Sequence, residues 1–170
     1  MKIIVEKTSK LSNSNMIQVL KMLNEHFKNN ELRTEVSQKA AFLSNEYYIS
    51  YCINNSIIIG EMLWWDFHNY RFIEYLCVSK NEQNKNIGSR LLDTCILSNK
   101  TIIVEVSENI RLKKFYIKKG FVENSYKYSP MVLQENSNEN NYKIFSYKKE
   151  LTVTEYNTFL KIIHAPEYQF

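Results

Sequence analysis

Between Tyr70 and Ser107 the apolar residues change period twice, and few folds accommodate that order. Tyr70 to Ser79 reads as a strand. Ile87, Leu91, Leu92, Cys95 and Ile96 then recur at helical spacing over Ile87 to Ser98, and Thr101 to Ser107 is a β-branched strand. Strand, helix and strand in succession predict a parallel pair joined by a right-handed crossover. Upstream, Tyr47 to Ile53 and Ser56 to Phe67 flank Asn54-Asn55. Asparagine tolerates the left-handed conformation of tight turns, so this segment predicts an antiparallel hairpin.

The remaining elements fit around that centre. Lys2 to Glu6 reads as a first strand. Met16, Leu20, Leu23 and Phe27 mark a helix with its N-cap among Ser12, Asn13 and Ser14, and a second helix covers Glu35 to Leu43. Asn109 to Lys119 is a helix stopped by Gly120, followed by strands over Phe121 to Leu133 and Tyr142 to Leu151 with a polar loop between. Residues 152–164 form an amphipathic helix with Val153, Tyr156, Phe159, Leu160 and Ile163 on one side. The expected class is α/β (α+β): a mixed, largely antiparallel sheet with a central parallel pair and helices on both faces. All 170 residues are expected to form one domain.

Composition excludes several functions. The longest apolar stretch, Ile57 to Phe67, is broken by Gly60, Glu61 and Asp66, so no membrane span is expected. The first residues turn acidic at Glu6, unlike a signal peptide. Cys52, Cys77 and Cys95 are odd in number and lie in apolar segments, which predicts buried thiols in a cytoplasmic protein. His26, His68 and His164 are far apart and no Cys/His pair has ligand spacing, so no metal is expected. A net charge of +4 suits an anionic ligand but is too small to argue for nucleic acid. Lys113, Lys114, Lys118 and Lys119 read as the solvated face of a helix.

The most informative loop runs Gln83-Asn84-Lys85-Asn86-Ile87-Gly88-Ser89, where a strand gives way to a helix. The first N–H groups of a helix lack internal acceptors and carry partial positive charge, which suits a diphosphate. Gly88 would allow close approach, and Lys85 and Arg90 could offset phosphate charge. The glycine pattern is neither a P-loop nor a dinucleotide fingerprint.

Gln83-x-x-Asn86-x-Gly88 resembles the Q/R-x-x-G-x-G/A signature of GNAT acetyltransferases, with Asn86 in place of the first glycine. Asn109-x-x-Leu112-x-x-Phe115-Tyr116-x-x-x-Gly120-Phe121 resembles the pattern that follows the fifth strand of these enzymes. The resemblance implies acetyl-CoA as co-substrate, with its pyrophosphate on the loop from Gln83 to Ser89. It also implies that the two parallel strands splay, that the backbone of Leu76, Cys77 and Val78 pairs with the pantetheine arm, and that a backbone N–H there faces the oxyanion. Asn109 would bond the cofactor or simply cap its helix.

The implied reaction is acetyl transfer to a primary amine of a small molecule (a polyamine, an aminoglycoside-like compound or an amino-acid derivative) or of a protein. The alternative is a non-catalytic acyl-CoA-binding or protein-interaction module on the same fold. Neither nucleic acid nor membrane is expected as a partner, and a homodimer is compatible with the family. Tyr116 matches the family tyrosine that serves the departing sulfur as acid; read alone, it is a core aromatic beside Phe115. Glu74 matches the glutamate that polyamine-type members carry as base. Strand alternation puts it with Phe72, Leu76 and Val78, where apolar surroundings would raise its pKa; a salt bridge or sheet-edge position is the alternative. Glu61, Asp66 and Glu74 together favour a cationic acceptor, and Trp64, Trp65 and Phe67 line its pocket or belong to the core.

Overall fold

The computed structural model describes residues 1–127 and 142–165. The elements are β1 (Lys2–Lys7), α1 (Asn13–His26), α2 (Glu35–Leu43), β2 (Tyr47–Asn54), β3 (Ile57–Asp66), β4 (Tyr70–Val78), α3 (Ile87–Ile96), β5 (Thr101–Ser107), α4 (Ile110–Lys118), β6 (Phe121–Glu123), β7 (Tyr142–Tyr147) and α5 (Val153–Ile163). Among the described residues the strands form one sheet in the order β1-β2-β3-β4-β5-β7-β6. Among these strands β4 and β5 run parallel, and the other pairings of the described residues are antiparallel. The expected fold class is therefore observed.

Local chemistry sets the boundaries. Ser12, Thr34, Asn109 and Thr152 cap α1, α2, α4 and α5 with their side-chain oxygens, and Glu155 completes a capping box at α5. Gly120, at φ +88°, takes the chain out of α4. The β2–β3 turn falls one residue later than expected. Asn54 pairs with Ile57, and Asn55 and Ser56 both adopt positive φ, as a two-residue turn between twisted strands requires.

The sheet carries a core on each face. On one, Leu23, Phe42, Tyr47, Trp65, Phe72 and Phe159 pack under α1, α2 and α5; on the other, Met62, Ile73, Leu91, Val104, Tyr116 and Phe145 pack under α3 and α4. Trp64, Trp65 and Phe67 are core residues, and Trp65 stacks between Tyr47 and Phe67 at ring distances of 4.3 and 5.8 Å.

Two expected strands are shorter than their apolar patterns. β6 ends at Glu123 because Asn124 turns inward and becomes a buried hub. Its amide donates to Ile144 O and Ser146 Oγ, and its Oδ1 accepts from Leu151 N–H. Residues 128–133 of the expected strand lie outside the described residues. β7 stops at Tyr147, after which Lys148 takes φ +72° and swings Leu151 into the core.

Two irregularities create the site. The register against β3 slips between Leu63 and Trp64, which face Tyr75 and Ile73, so Glu74 is an extra residue in a β-bulge. The parallel register of β4 and β5 runs from Tyr70/Thr101 to Ile73/Val104 and stops there. Beyond it the strands diverge.

Candidate active site

β4 ends at Val78 and α3 begins at Ile87, leaving a short loop whose conformation depends on asparagine. Asn84 and Asn86 both adopt left-handed backbone, at φ 64° and 63°. Asparagine is enriched there because its short polar side chain can bond locally. Asn86 thus keeps the turn that the glycine of the signature would make, and its carbonyl accepts from Arg90 N–H to open α3. The N–H groups of Ile87, Gly88 and Ser89 lead the helix without intrahelical acceptors. Gly60 lets the helix settle on the sheet at this point, since a Cβ there would lie 2.9 Å from Ile87 Cγ2.

In front of the helix lies a cleft of about 830 Å³, lined among others by Gln83, Asn84, Asn86, Gly88, Ser89 and Asn109. A Cβ on Gly88 would lie 3.7 and 3.8 Å from Val78 and Phe115, both cleft residues, so a larger side chain enters the cleft. Lys85 does not line it; its ammonium is paired at 3.1 Å with Glu82, an acidic residue of the lining. Arg90 is also absent from the lining. The cations present are Arg111, Lys118 and Lys119, with Arg111 bonded to Asn84 and Lys119 to Asp93. Helical spacing alone assigned the last two lysines to a solvated face. Asn109 commits its Oδ1 to the N–H groups of Arg111 and Leu112, which is the cap reading, while still bordering the cleft.

Where β4 and β5 part, a slot of about 200 Å³ opens, and Leu76, Leu112 and Tyr116 border both the slot and the cleft. Ser79 N–H donates to Ile59 O, toward β3. Alternation along an antiparallel strand then turns the polar groups of Cys77 and Tyr75 the same way, those of Leu76 toward the slot and those of Val78 toward the cleft. With no β5 pairing beyond Ile73, these outward groups face the cavity. Cys77 points its buried thiol to the opposite face, where it donates to Glu61 Oε1 at 3.8 Å.

Tyr116 is 5% exposed and packs edge-on against Phe115 and Phe121. Burial, and then the nearby Cys95 thiol, push its phenol well above the ordinary tyrosine range. It therefore holds its proton at any physiological pH.

The surroundings expected for Glu74 are not those observed. The bulge places Glu74 and Tyr75 on the α1 side, while Leu76 and Val78 pack against the opposite core. Its carboxylate bonds Arg33 Nε at 2.7 Å, with the two side chains 5% and 3% exposed, and accepts from Tyr47 Oη at 2.7 Å and Trp65 Nε1 at 3.0 Å. A carboxylate committed to a guanidinium and two further donors is an anchor, and the isolated carboxylate that a base required is absent. The acidic cluster also differs. Glu61 is buried in the sheet, and Asp66 pairs with Arg71 and Lys100. Among the described residues, Glu31, Glu74 and Glu105 line the slot, and no lysine or arginine does. Neither Glu31 nor Glu105 was among the expected site residues; Glu105 is the one charge in a β-branched strand, a signal that could have marked it, whereas Glu31, which accepts from Tyr142 Oη at 2.7 Å, carries none.

No group of His, Cys, Asp and Glu among the described residues could hold a metal, and no helix there is long and apolar enough to cross a membrane. Cys52, Cys77 and Cys95 are free and buried.

Residues 44–123 match the family model described as an acetyltransferase (GNAT) domain. That span holds the diverging strands, the loop and α4 together. This segment of the chain is similar to a GNAT acetyltransferase domain. Solved GNAT structures share its fold. A putative GNAT acetyltransferase from Bacteroides thetaiotaomicron aligns over 100% of this chain and 99% of its own, at TM-score 0.81 and 18% identity. Arabidopsis thaliana Naa50, in complex with the bisubstrate analogue CoA-Ac-MVNAL, aligns over 89% and 100%, at TM-score 0.61 and 20% identity. An aminoglycoside acetyltransferase from an uncultured soil metagenomic sample aligns over 80% and 94%, at 0.56 and 15%. No curated protein sequence matches the chain.

Proposed function

We propose that this protein is a GNAT enzyme that transfers an acetyl group from acetyl-CoA to a primary amine on a cationic acceptor. The observation that carries the reading is the continuity of two cavities at Leu76 and Tyr116. A helix N-terminus edged by cations opens one, and a slot edged by carboxylates forms the other. Acetyl-CoA supplies an acyl group activated as a thioester and a diphosphate by which to hold it.

The chain's own residues divide the work. The N–H groups of Ile87, Gly88 and Ser89 face the diphosphate, supported by helix polarity and by Arg111 and Lys118 at the edge. The outward N–H groups of Leu76 and Val78 donate to the pantetheine arm and to the acyl carbonyl oxygen, where a preorganised donor contributes most. Tyr116 holds the proton that the departing sulfur needs. Glu31 and Glu105 make the slot attractive to an ammonium, and Glu74, neutralised by Arg33, stiffens its wall.

The acceptor class follows from charge. A slot lined by Glu31 and Glu105, with Glu74 already paired to Arg33 and His26 at its corner with the cleft, favours a polyamine, an aminoglycoside-like compound or a basic N-terminal peptide over an acidic amine. The non-catalytic alternative drew its support from Asn86, and that support weakens because Asn86 adopts the backbone conformation of the glycine it replaces. The test is a panel of diamines, aminoglycosides, free amino acids and short peptides, assayed for release of the free thiol from acetyl-CoA. Turnover with cationic amines and little with anionic ones is expected. Thiol release only with acidic amines, or with none, overturns the proposal.

A further inference from the structure

His26 closes α1 at the corner where slot and cleft meet, and both of its ring nitrogens face carbonyl oxygens. Nδ1 lies 2.9 Å from Met22 O and Nε2 lies 3.1 Å from Val78 O. A carbonyl only accepts, and a neutral imidazole carries one N–H. Two such contacts are both satisfied only when both nitrogens carry protons. The C-terminal position adds to this, because helix carbonyls there favour a cation.

Val78 is the last residue of β4, with its polar groups turned outward. Its carbonyl also receives Gln83 Nε2 at 3.2 Å. Two side chains therefore occupy the acceptor at that end of the free strand edge. What remains for a ligand is the N–H and C=O of Leu76 and the N–H of Val78.

We infer that His26, as an imidazolium, is a positioning residue for the acyl donor: it ties α1 to Val78, fixes the splayed edge of β4, and makes acetyl-CoA affinity depend on its own protonation. The inference rests on the acetyl-CoA reading above. His26 acts through the Val78 peptide and takes no part in the chemistry. Loss of one proton leaves a lone pair facing a carbonyl at about hydrogen-bond distance, and that contact becomes repulsive. It also removes a positive charge beside an anionic ligand.

The charged neighbours have other engagements. On its own segment Lys21 pairs with Glu25, and Glu31 accepts from Tyr142. Across the slot Glu74 holds Arg33, and Glu105 lies on β5. Around the cleft Glu82 pairs with Lys85, Arg111 bonds Asn84, Lys119 bonds Asp93, and Lys118 lies at the edge. Lys28 follows the helix, and Tyr75 and Tyr116 line the slot from β4 and α4. None of these takes a ring nitrogen of His26 in place of the two carbonyls.

Two measurements test the inference. Ring-nitrogen NMR of the intact protein at about pH 6 should show both His26 nitrogens protonated in the absence of ligand. Calorimetric titration with acetyl-CoA should show wild-type affinity falling about tenfold more than that of His26→Gln between about pH 6 and about pH 8.5. His26→Gln keeps one neutral donor, and its affinity should match the wild type at the higher pH; His26→Ala should be weaker at both. A single neutral tautomer at the lower pH, or identical pH dependence in wild type and His26→Gln, overturns the clamp. If the protein binds no acetyl-CoA at any pH, the donor reading fails and the positioning role with it. The NMR result then stands as a statement about the histidine alone.

Discussion

Replacing Glu61 by methionine should stabilise the protein, and by more as the pH rises. Glu61 lies in the middle of β3, opposite Tyr51 and Cys77, and is fully buried. Its Oε1 receives only the weak Cys77 thiol donor at 3.8 Å, and its Oε2 has no partner among the described residues. Burial pushes the carboxyl well above the ordinary glutamate range, and the thiol contact offsets this only slightly. In the folded protein the group is therefore a neutral acid, whereas in the unfolded chain it ionises above the ordinary value of 4.5. Folding binds a proton, so the associated stability is fully present below that value. It is lost as pH rises toward the folded pKa, at up to about 1.4 kcal/mol per pH unit. Methionine has similar length, removes the titration and leaves no unsatisfied oxygen in an apolar site. Urea unfolding at about pH 6 and about pH 8 should show the gap between Glu61→Met and wild type widening, at up to about 1.4 kcal/mol per pH unit while the folded carboxyl stays protonated. Parallel pH profiles for the two proteins would refute the buried neutral acid.

Three further outcomes follow from the site. Glu74→Ala leaves Arg33 buried without its carboxylate, and chemical denaturation should show a loss of about 3–5 kcal/mol, marking Glu74 as an anchor. Gly60→Ala forces a Cβ to 2.9 Å from Ile87 Cγ2 beneath the head of α3; it should cost about 1–3 kcal/mol and weaken acetyl-CoA binding in calorimetry. Tyr116→Phe should leave acetyl-CoA affinity unchanged and lower kcat about 100-fold on a working amine; an unchanged kcat would remove Tyr116 as the acid.

The centre of the fold was legible because its hydrophobic period changes so sharply. Strand-like spacing over β4, helical spacing over α3 and β-branched residues over β5 leave few other arrangements. The hairpin turn slipped by one residue because Asn54, Asn55 and Ser56 all tolerate a turn, and only strand pairing decides between them. The environment of Glu74 was not legible. Alternation assumes a regular strand; Glu74 keeps the facing of Phe72, and the bulge, which depends on register against β3, turns Leu76 and Val78 to the other side. Arg33, the partner of Glu74, comes from a loop 41 residues away. Glu31 and Glu105 share one slot only because the strands diverge, a tertiary event that neither local sequence shows. Lys118 and Lys119 lie at the edge of a cleft that α4 forms together with the head of α3, so helical spacing alone placed them on a solvated face. β6 ends where Asn124 finds three buried partners on distant segments.

The most direct test of the account is thermal unfolding with and without acetyl-CoA, in wild type and in Gly88→Phe. The side chain at this position projects toward Val78 and Phe115, which wall the cleft before α3, and should crowd the space that the ligand needs. At about 100 times the dissociation constant, ligand binding adds about 2.7 kcal/mol, which for a chain of this size raises Tm by about 5–10 °C. The account predicts that rise in wild type and its loss in Gly88→Phe, with the two unliganded proteins melting within a few degrees of each other. No rise in wild type, or an equal rise in both, would contradict the claim that this cleft holds the acyl donor.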